Sequence, residues 1–218
     1  MLVEIWSDIM CPFCYIGKKH FEKALNSLSF KDKIEVLYKS YQLDPNYHNE
    51  SGENTYAYLT RSKGMSTDQV KEMTGNVEQM GQKAGLIIDF SKNIPANTFM
   101  AHQLIHFANT EGKAIEITGR LFKAHFEEGL DIGKEDVLAT LAEEEGLSPE
   151  LTEQALHSDQ FAYEVKQDIN EAQQIGVRGV PFFLFDRKYA LSGAQPIEVF
   201  VEVLEKSYQE WLENNRDI

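Results

Sequence analysis

The chain has 218 residues, 42% of them hydrophobic and 11% aromatic, which supplies a packed core and argues against disorder. Its 35 acidic and 21 basic residues leave a formal charge of −14, which disfavours a phosphate-backbone partner. No run approaches the roughly 18 apolar residues of a membrane span. There is no basic stretch followed by an apolar one at the N-terminus, and the only two cysteines are Cys11 and Cys14. The expectation is therefore a cytoplasmic protein without a disulfide framework.

Residues 2–7 are apolar, β-branched and too few for a helix, so they read as a strand. Pro12 suits the first turn of a helix, where its missing N–H costs nothing. Phe13, Ile16, His20, Phe21, Ala24, Leu25 and Leu28 then recur at helical spacing. Residues 34–41 predict a second strand, and a helix of this length is the usual crossover between parallel strands.

From about 54 to 173 the chain turns rich in Ala, Glu, Gln, Leu and Met, and its 3.6-residue periodicity predicts four or five helices. Ser66 and Gln69 fit a capping box, and Ser148-Pro149-Glu150 reads as cap, first-turn proline and first-turn acid. Gly112, Gly129 and Gly146 fall where helices would stop. Strand character returns at Phe182–Phe185 and Tyr189–Ser192, with Asp186-Arg187 as the turn. Pro196 opens a last helix with its stripe at Ile197, Phe200, Val201, Leu204, Tyr208, Trp211 and Leu212. The linear plan is β-α-β, helices, β-β-α.

Cys11-Pro12-Phe13-Cys14 is the motif that carries chemistry. Two thiols three apart at a helix start face one way, and the helix dipole there favours a thiolate on the leading sulfur. Cys11 is then the attacking thiol and Cys14, inside the first turn, the one that resolves a mixed disulfide. Asp8 would oppose ionisation if it pointed inward. Zinc would need four ligands, and the six histidines offer one i,i+4 pair, His102 and His106, so no metal site is expected. Asn97 reads as a helix cap, or as a residue lining a cleft between helical segment and core together with His102. Lys18 and Lys19 read as a solvated helix face, and Phe122, Phe126 and Phe161 as core.

The chain resembles the DsbA-type thioredoxin-fold oxidoreductases, in particular their FrnE-like branch. The matching stretches run in family order: Ser7 to Gly17, Tyr41-Gln42-Leu43-Asp44-Pro45, Asn97 to His102, Gly176 to Phe183, and Ser192 to Pro196. The resemblance implies an α/β thioredoxin core at 1–53 and 174–218, split by an all-helical insertion at 54–173. It also implies a cis Pro181 beside the sulfurs, with Val180 offering its backbone to an extended substrate strand. Pro12, Phe13 and Asn97 join Val180 and Pro181 as expected substrate-binding residues. Phe13 stands where tryptophan is common in the family, which keeps an aromatic surface and loses an indole N–H.

The expected activity is thiol–disulfide exchange on protein substrates, as an oxidoreductase or isomerase, with no resident cofactor and with glutathione as a candidate redox partner. The alternative is a glutathione-dependent small-molecule isomerase or transferase of the kappa-class type, which needs one nucleophile where this chain has two thiols. Neither nucleic acid nor membrane is an expected partner.

Overall fold

In a computed structural model, which describes residues 1–48 and 52–215, the described residues form four strands and nine α-helices. Positions 49–51 and 216–218 of the two expected core segments lie outside the described residues. Strand β1 (Leu2–Ser7) leads through a short turn into helix α1 (Pro12–Asn26), and β2 (Glu35–Ser40) follows. β1 and β2 pair in parallel with Leu2 opposite Glu35 and Ser7 opposite Ser40, so α1 is the crossover that parallel pairing demands.

Seven helices come next in the chain: α2 (Thr55–Lys63), α3 (Thr67–Ala84), α4 (Phe99–Thr110), α5 (Ala114–Lys123), α6 (Glu135–Glu144), α7 (Pro149–Leu156) and α8 (Asp159–Gln174). The expected four or five was too few. Gly64 and Gly85, left-handed at φ 64° and 83°, end α2 and α3. Gly112, Gly129 and Gly146 do stop helices, each with φ near 70°. The Ser66–Gln69 capping box forms in both directions, and Ser148 caps α7 ahead of Pro149.

Strands β3 (Phe182–Phe185) and β4 (Tyr189–Ser192) close the sheet, and α9 (Ile197–Asn214) follows. The sheet order is β2-β1-β3-β4, with β3 antiparallel to both its neighbours. The β3–β4 turn carries Asp186 and Arg187 at φ 48° and 57°, the two positive angles that a tight hairpin requires.

The two faces of the sheet are packed differently. Val3 and Ile5 alternate onto the face covered by α1 and α9, where Phe200 meets Phe21 and Phe183 edge to face at 5.8 and 4.7 Å and Phe21 packs tilted on Phe183 at 5.6 Å. Glu4 and Trp6 turn to the other face. There Trp6 packs with Ala172 and Val177, and its indole N–H donates to the Asp168 carbonyl of α8 at 3.0 Å. One buried apolar cluster runs from Val3, Ile5 and Ile16 through Leu104 and Phe122 to Leu138 and Leu156. Core and helical segment thus share their interior.

Candidate active site

The site lies at the end of β1. Cys11 is the N-cap of α1 in extended conformation, its N–H held by the Asp8 carbonyl at 3.0 Å and its carbonyl accepting from Cys14 N–H at 3.0 Å. Pro12 takes the first helical position. The Val180–Pro181 peptide is cis, and the Cys11 thiol points at the Val180 carbonyl, Sγ to O 3.5 Å. Segments about 170 residues apart in the chain therefore meet at one sulfur.

Both sulfurs are buried. Cys11 is 4% exposed and Cys14 2%, so the two sulfurs differ little in access. Burial pushes the Cys14 thiol well above its ordinary range, and the hydrogen bond and charge of Cys11 push it the same way. The Ser7 hydroxyl and the Asp8 N–H pull in the opposite direction. Both cysteines are unbridged, and burial favours the protonated form of Cys14.

Asp8 does point inward. Its carboxylate accepts from Leu43 N–H at 2.7 Å and Met10 N–H at 3.4 Å, with His102 Nε2 3.7 Å away. Those donors tie the loop before Cys11 to the segment after β2. His102 is a satisfied interior histidine, its Nε2 2.9 Å from the Tyr41 carbonyl. Lys18 is not on a solvated face: it is buried and paired with Glu22 four residues on. Its charge is spent there.

Asn97 is occupied as well. Its Oδ1 accepts from Phe99 N–H and Gln42 Nε2, each at 3.0 Å, and its Nδ2 donates to the carbonyls of Pro45 and Tyr47. Thr98 is the formal N-cap of α4 and makes no side-chain cap bond, so Asn97 supplies the capping oxygen from one residue earlier. It staples the loop after β2 to α4. Phe13, at helical spacing on α1 and an expected substrate-binding residue, turns outward at 39% exposure and lines a cavity together with Leu43.

Between the cysteine loop and helices α2 and α3 lies a cavity of about 570 Å³ lined by Cys11, Pro12, Phe13 and Val180 together with residues of α2 and α3. Sequence reading assigned nothing to Leu59, Met73 or Val77 on its wall, because amphipathic helix positions look alike whether they meet core or cavity. Gly17 was also passed over. A Cβ there would come 2.9 Å from Pro181 Cγ and 3.4 Å from Phe183 Cζ. Gly17→Ala is expected to lower stability by about 1–3 kcal/mol and to slow reaction at Cys11, because the ring beside the sulfur must shift. Denaturant titration together with alkylation rates of Cys11 checks this, and a variant unchanged in both would remove the close approach from consideration.

A family model described as the DSBA-like thioredoxin domain matches residues 2–205. The chain belongs to that family of thioredoxin-fold proteins. Among individual relatives, a probable DsbA oxidoreductase from Streptomyces coelicolor superimposes with a TM-score of 0.90 at 36% identity, over 96% of this chain and 91% of that one. The uncharacterised protein YwbO of Bacillus subtilis (strain 168) is 28% identical over 210 residues, 93% of this chain and 94% of its own. The cytosolic disulfide reductase DsbM from Pseudomonas aeruginosa, solved with GSH, shares the fold at a TM-score of 0.68 and 16% identity, over 96% and 100% of the two chains. Family membership supports an enzyme with redox activity towards thiols and disulfides. No helix among the described residues is long and apolar enough to cross a membrane.

Proposed function

We propose that the protein carries out thiol–disulfide exchange on protein substrates through Cys11 and Cys14, as a cytoplasmic oxidoreductase or isomerase. The observation that carries this reading is the Cys11 thiol at a helix N-terminus, aimed at the Val180 carbonyl, with a second thiol one turn on.

In this reading Cys11, as thiolate, attacks a substrate disulfide. A bond forms between Cys11 and one substrate sulfur while the other leaves as a thiolate and takes a proton from water. Two of the influences that raise the Cys14 thiol come from Cys11, and its charge disappears once that sulfur is bonded to substrate. Burial remains, but the Ser7 hydroxyl and Asp8 N–H are in place to receive a developing thiolate on Cys14. Cys14 then attacks Cys11, forms the intramolecular disulfide and releases the second substrate thiol. Thiols such as glutathione reset the pair, and the exchange runs in reverse when the protein starts oxidised. Because Cys11 is so little exposed, the substrate polypeptide has to present its disulfide in an extended segment laid along Val180 and Pro181.

The test is a trap. Cys14→Ser is expected to accumulate mixed disulfides on Cys11 when incubated with oxidised unfolded protein, and the Cys11→Ser, Cys14→Ser double variant to accumulate none. A kappa-class transferase would behave otherwise, since Cys14→Ala would keep its full turnover. Retained steady-state exchange in Cys14→Ala, with no trapped species in Cys14→Ser, would sink the two-thiol reading.

A further inference from the structure

The cavity beside Cys11 is larger than the exchange step needs. At about 570 Å³ it lies within the range of small-molecule sites, roughly 300–1,000 Å³. Its walls converge from separate parts of the chain: Met10 and Leu43 near the cysteine loop, Leu59 on α2, Met73 and Val77 on α3, and Phe90 beyond it. These are apolar side chains, and Cys11 forms part of the same wall.

Most of the buried polar groups that line it are already committed. The Thr55 hydroxyl donates to the carbonyl and side-chain oxygen of Asn93, each at 2.8 Å. The Thr74 hydroxyl donates to the Val70 carbonyl at 2.9 Å, and the Tyr58 hydroxyl to the Asp44 carboxylate at 3.1 Å. Lys63, exposed, is the one cation among the lining residues. Such a site rewards apolar surface and offers little to a charged ligand.

The geometry points to a second substrate class for the same thiols: low-molecular-weight disulfides with uncharged apolar bodies, aromatic ones above all. The body lies in the cavity between α2 and α3 and one sulfur rests against Cys11. This rests on the exchange reading above and adds small substrates to the polypeptide ones. Glutathione disulfide is poorly matched, being a polyanion that meets one lysine on the wall and a chain of net charge −14 around it.

The reaction balances without another reagent. Cys11 thiolate attacks the disulfide R–S–S–R, the Cys11–S–R bond forms and R–S⁻ leaves to take a proton. Cys14, giving up its proton, attacks Cys11 and expels the second R–S⁻. The protein dithiol is oxidised to the Cys11–Cys14 disulfide, and R–S–S–R is reduced to two R–SH.

The experiment mixes the fully reduced protein with dithiodipyridine or with glutathione disulfide in a stopped-flow instrument and follows thiol release over a single turnover. Each rate constant is divided by that of reduced dithiothreitol with the same disulfide, which removes intrinsic electrophilicity. The normalised rate is expected to favour the aromatic disulfide by at least about tenfold, the scale on which an apolar pocket discriminates. Leu59→Trp and Met73→Trp, which put an indole into the cavity from different helices, are expected to cut the aromatic rate about tenfold and bring the ratio towards unity. Equal normalised rates in the wild type, or a ratio that neither variant moves, overturn the cavity assignment and leave the exchange chemistry standing. If the reduced protein releases no thiol from either disulfide, the exchange reading itself falls, and this one with it.

Discussion

Replacing Asp168 with alanine is expected to cost about 3–5 kcal/mol of folding free energy, the scale for breaking a buried ion pair from one side. The Asp168 side chain is 5% exposed and sits between α8, β2 and α4. Its carboxylate takes Lys39 Nζ at 2.6 Å, Ser40 N–H at 2.9 Å and His106 Nε2 at 3.0 Å. Burial pushes this carboxyl up, yet hydrogen bonds from His106, Lys39 and Ser40 outweigh it and hold the group below the usual aspartate range. Without it Lys39, itself only 15% exposed, keeps Glu171 alone at 3.0 Å, and the Ser40 N–H loses its acceptor. Urea denaturation at neutral pH measures the loss. A cost under about 1 kcal/mol would mean that water or Glu171 replaces the carboxylate. Cys11 is not among the partners of this carboxylate, so the expected effect is on stability.

The second large effect comes from acid. His125 is buried at 1% exposure, and desolvation lowers its pKa to about 4 from 6.5, only partly countered by the charge of Asp8. Its Nδ1 has no hydrogen-bond partner. A histidine depressed in the folded state is protonated first in the unfolded one. The unfolded chain therefore binds more protons between the two values, and stability falls as pH drops from about 6.5 towards 4. Over that window the loss amounts to roughly 2–3 kcal/mol at 1.36 kcal/mol per unit. His125→Leu is expected to flatten the profile in this window while leaving a further loss at lower pH. That lower limb comes from depressed carboxyls, Asp168 and Glu171 among them, whose contributions are present above the ordinary carboxylate range and lost below it. Denaturation midpoints collected from pH 7 to 3 separate the two limbs. Equal wild-type stability at pH 7 and 4.5 would remove His125 from the account.

These effects were hardly visible in the sequence, and the residues show why. Asp168 sits in a run of polar helix positions, and nothing near it in the chain announces Lys39 or Ser40 about 128 residues earlier. His125 stands next to Phe126 in a one-turn π-helical segment, Ala124–Glu128, that helical periodicity does not reveal. By contrast the capping box at Ser66, the turn at Asp186-Arg187 and the strand ending at Ser7 were legible, because each is decided within a few residues. The candidate site divides the same way. Cys11, Pro12 and Cys14 announce a strand leading to thiols at a helix start. The cis Pro181 came through family resemblance, since X-Pro bonds are cis only about 5–6% of the time. The stapling role of Asn97 did not show.

The sequence by itself determined the order of strands and helical segments, several of their caps and stops, and the presence of two thiols at the head of α1. These follow from backbone propensity, caps and spacing, which act over one or two helical turns. Only the tertiary structure decided that Cys11 is almost as buried as Cys14, that Gly17 lets α1 close on Pro181, and that Leu59 and Met73 face a cavity instead of a core. The physical reason is that burial belongs to a position in a packed object. The side chains surrounding each of these residues arrive from distant parts of the chain, and an apolar helix stripe records that it is covered without recording what covers it.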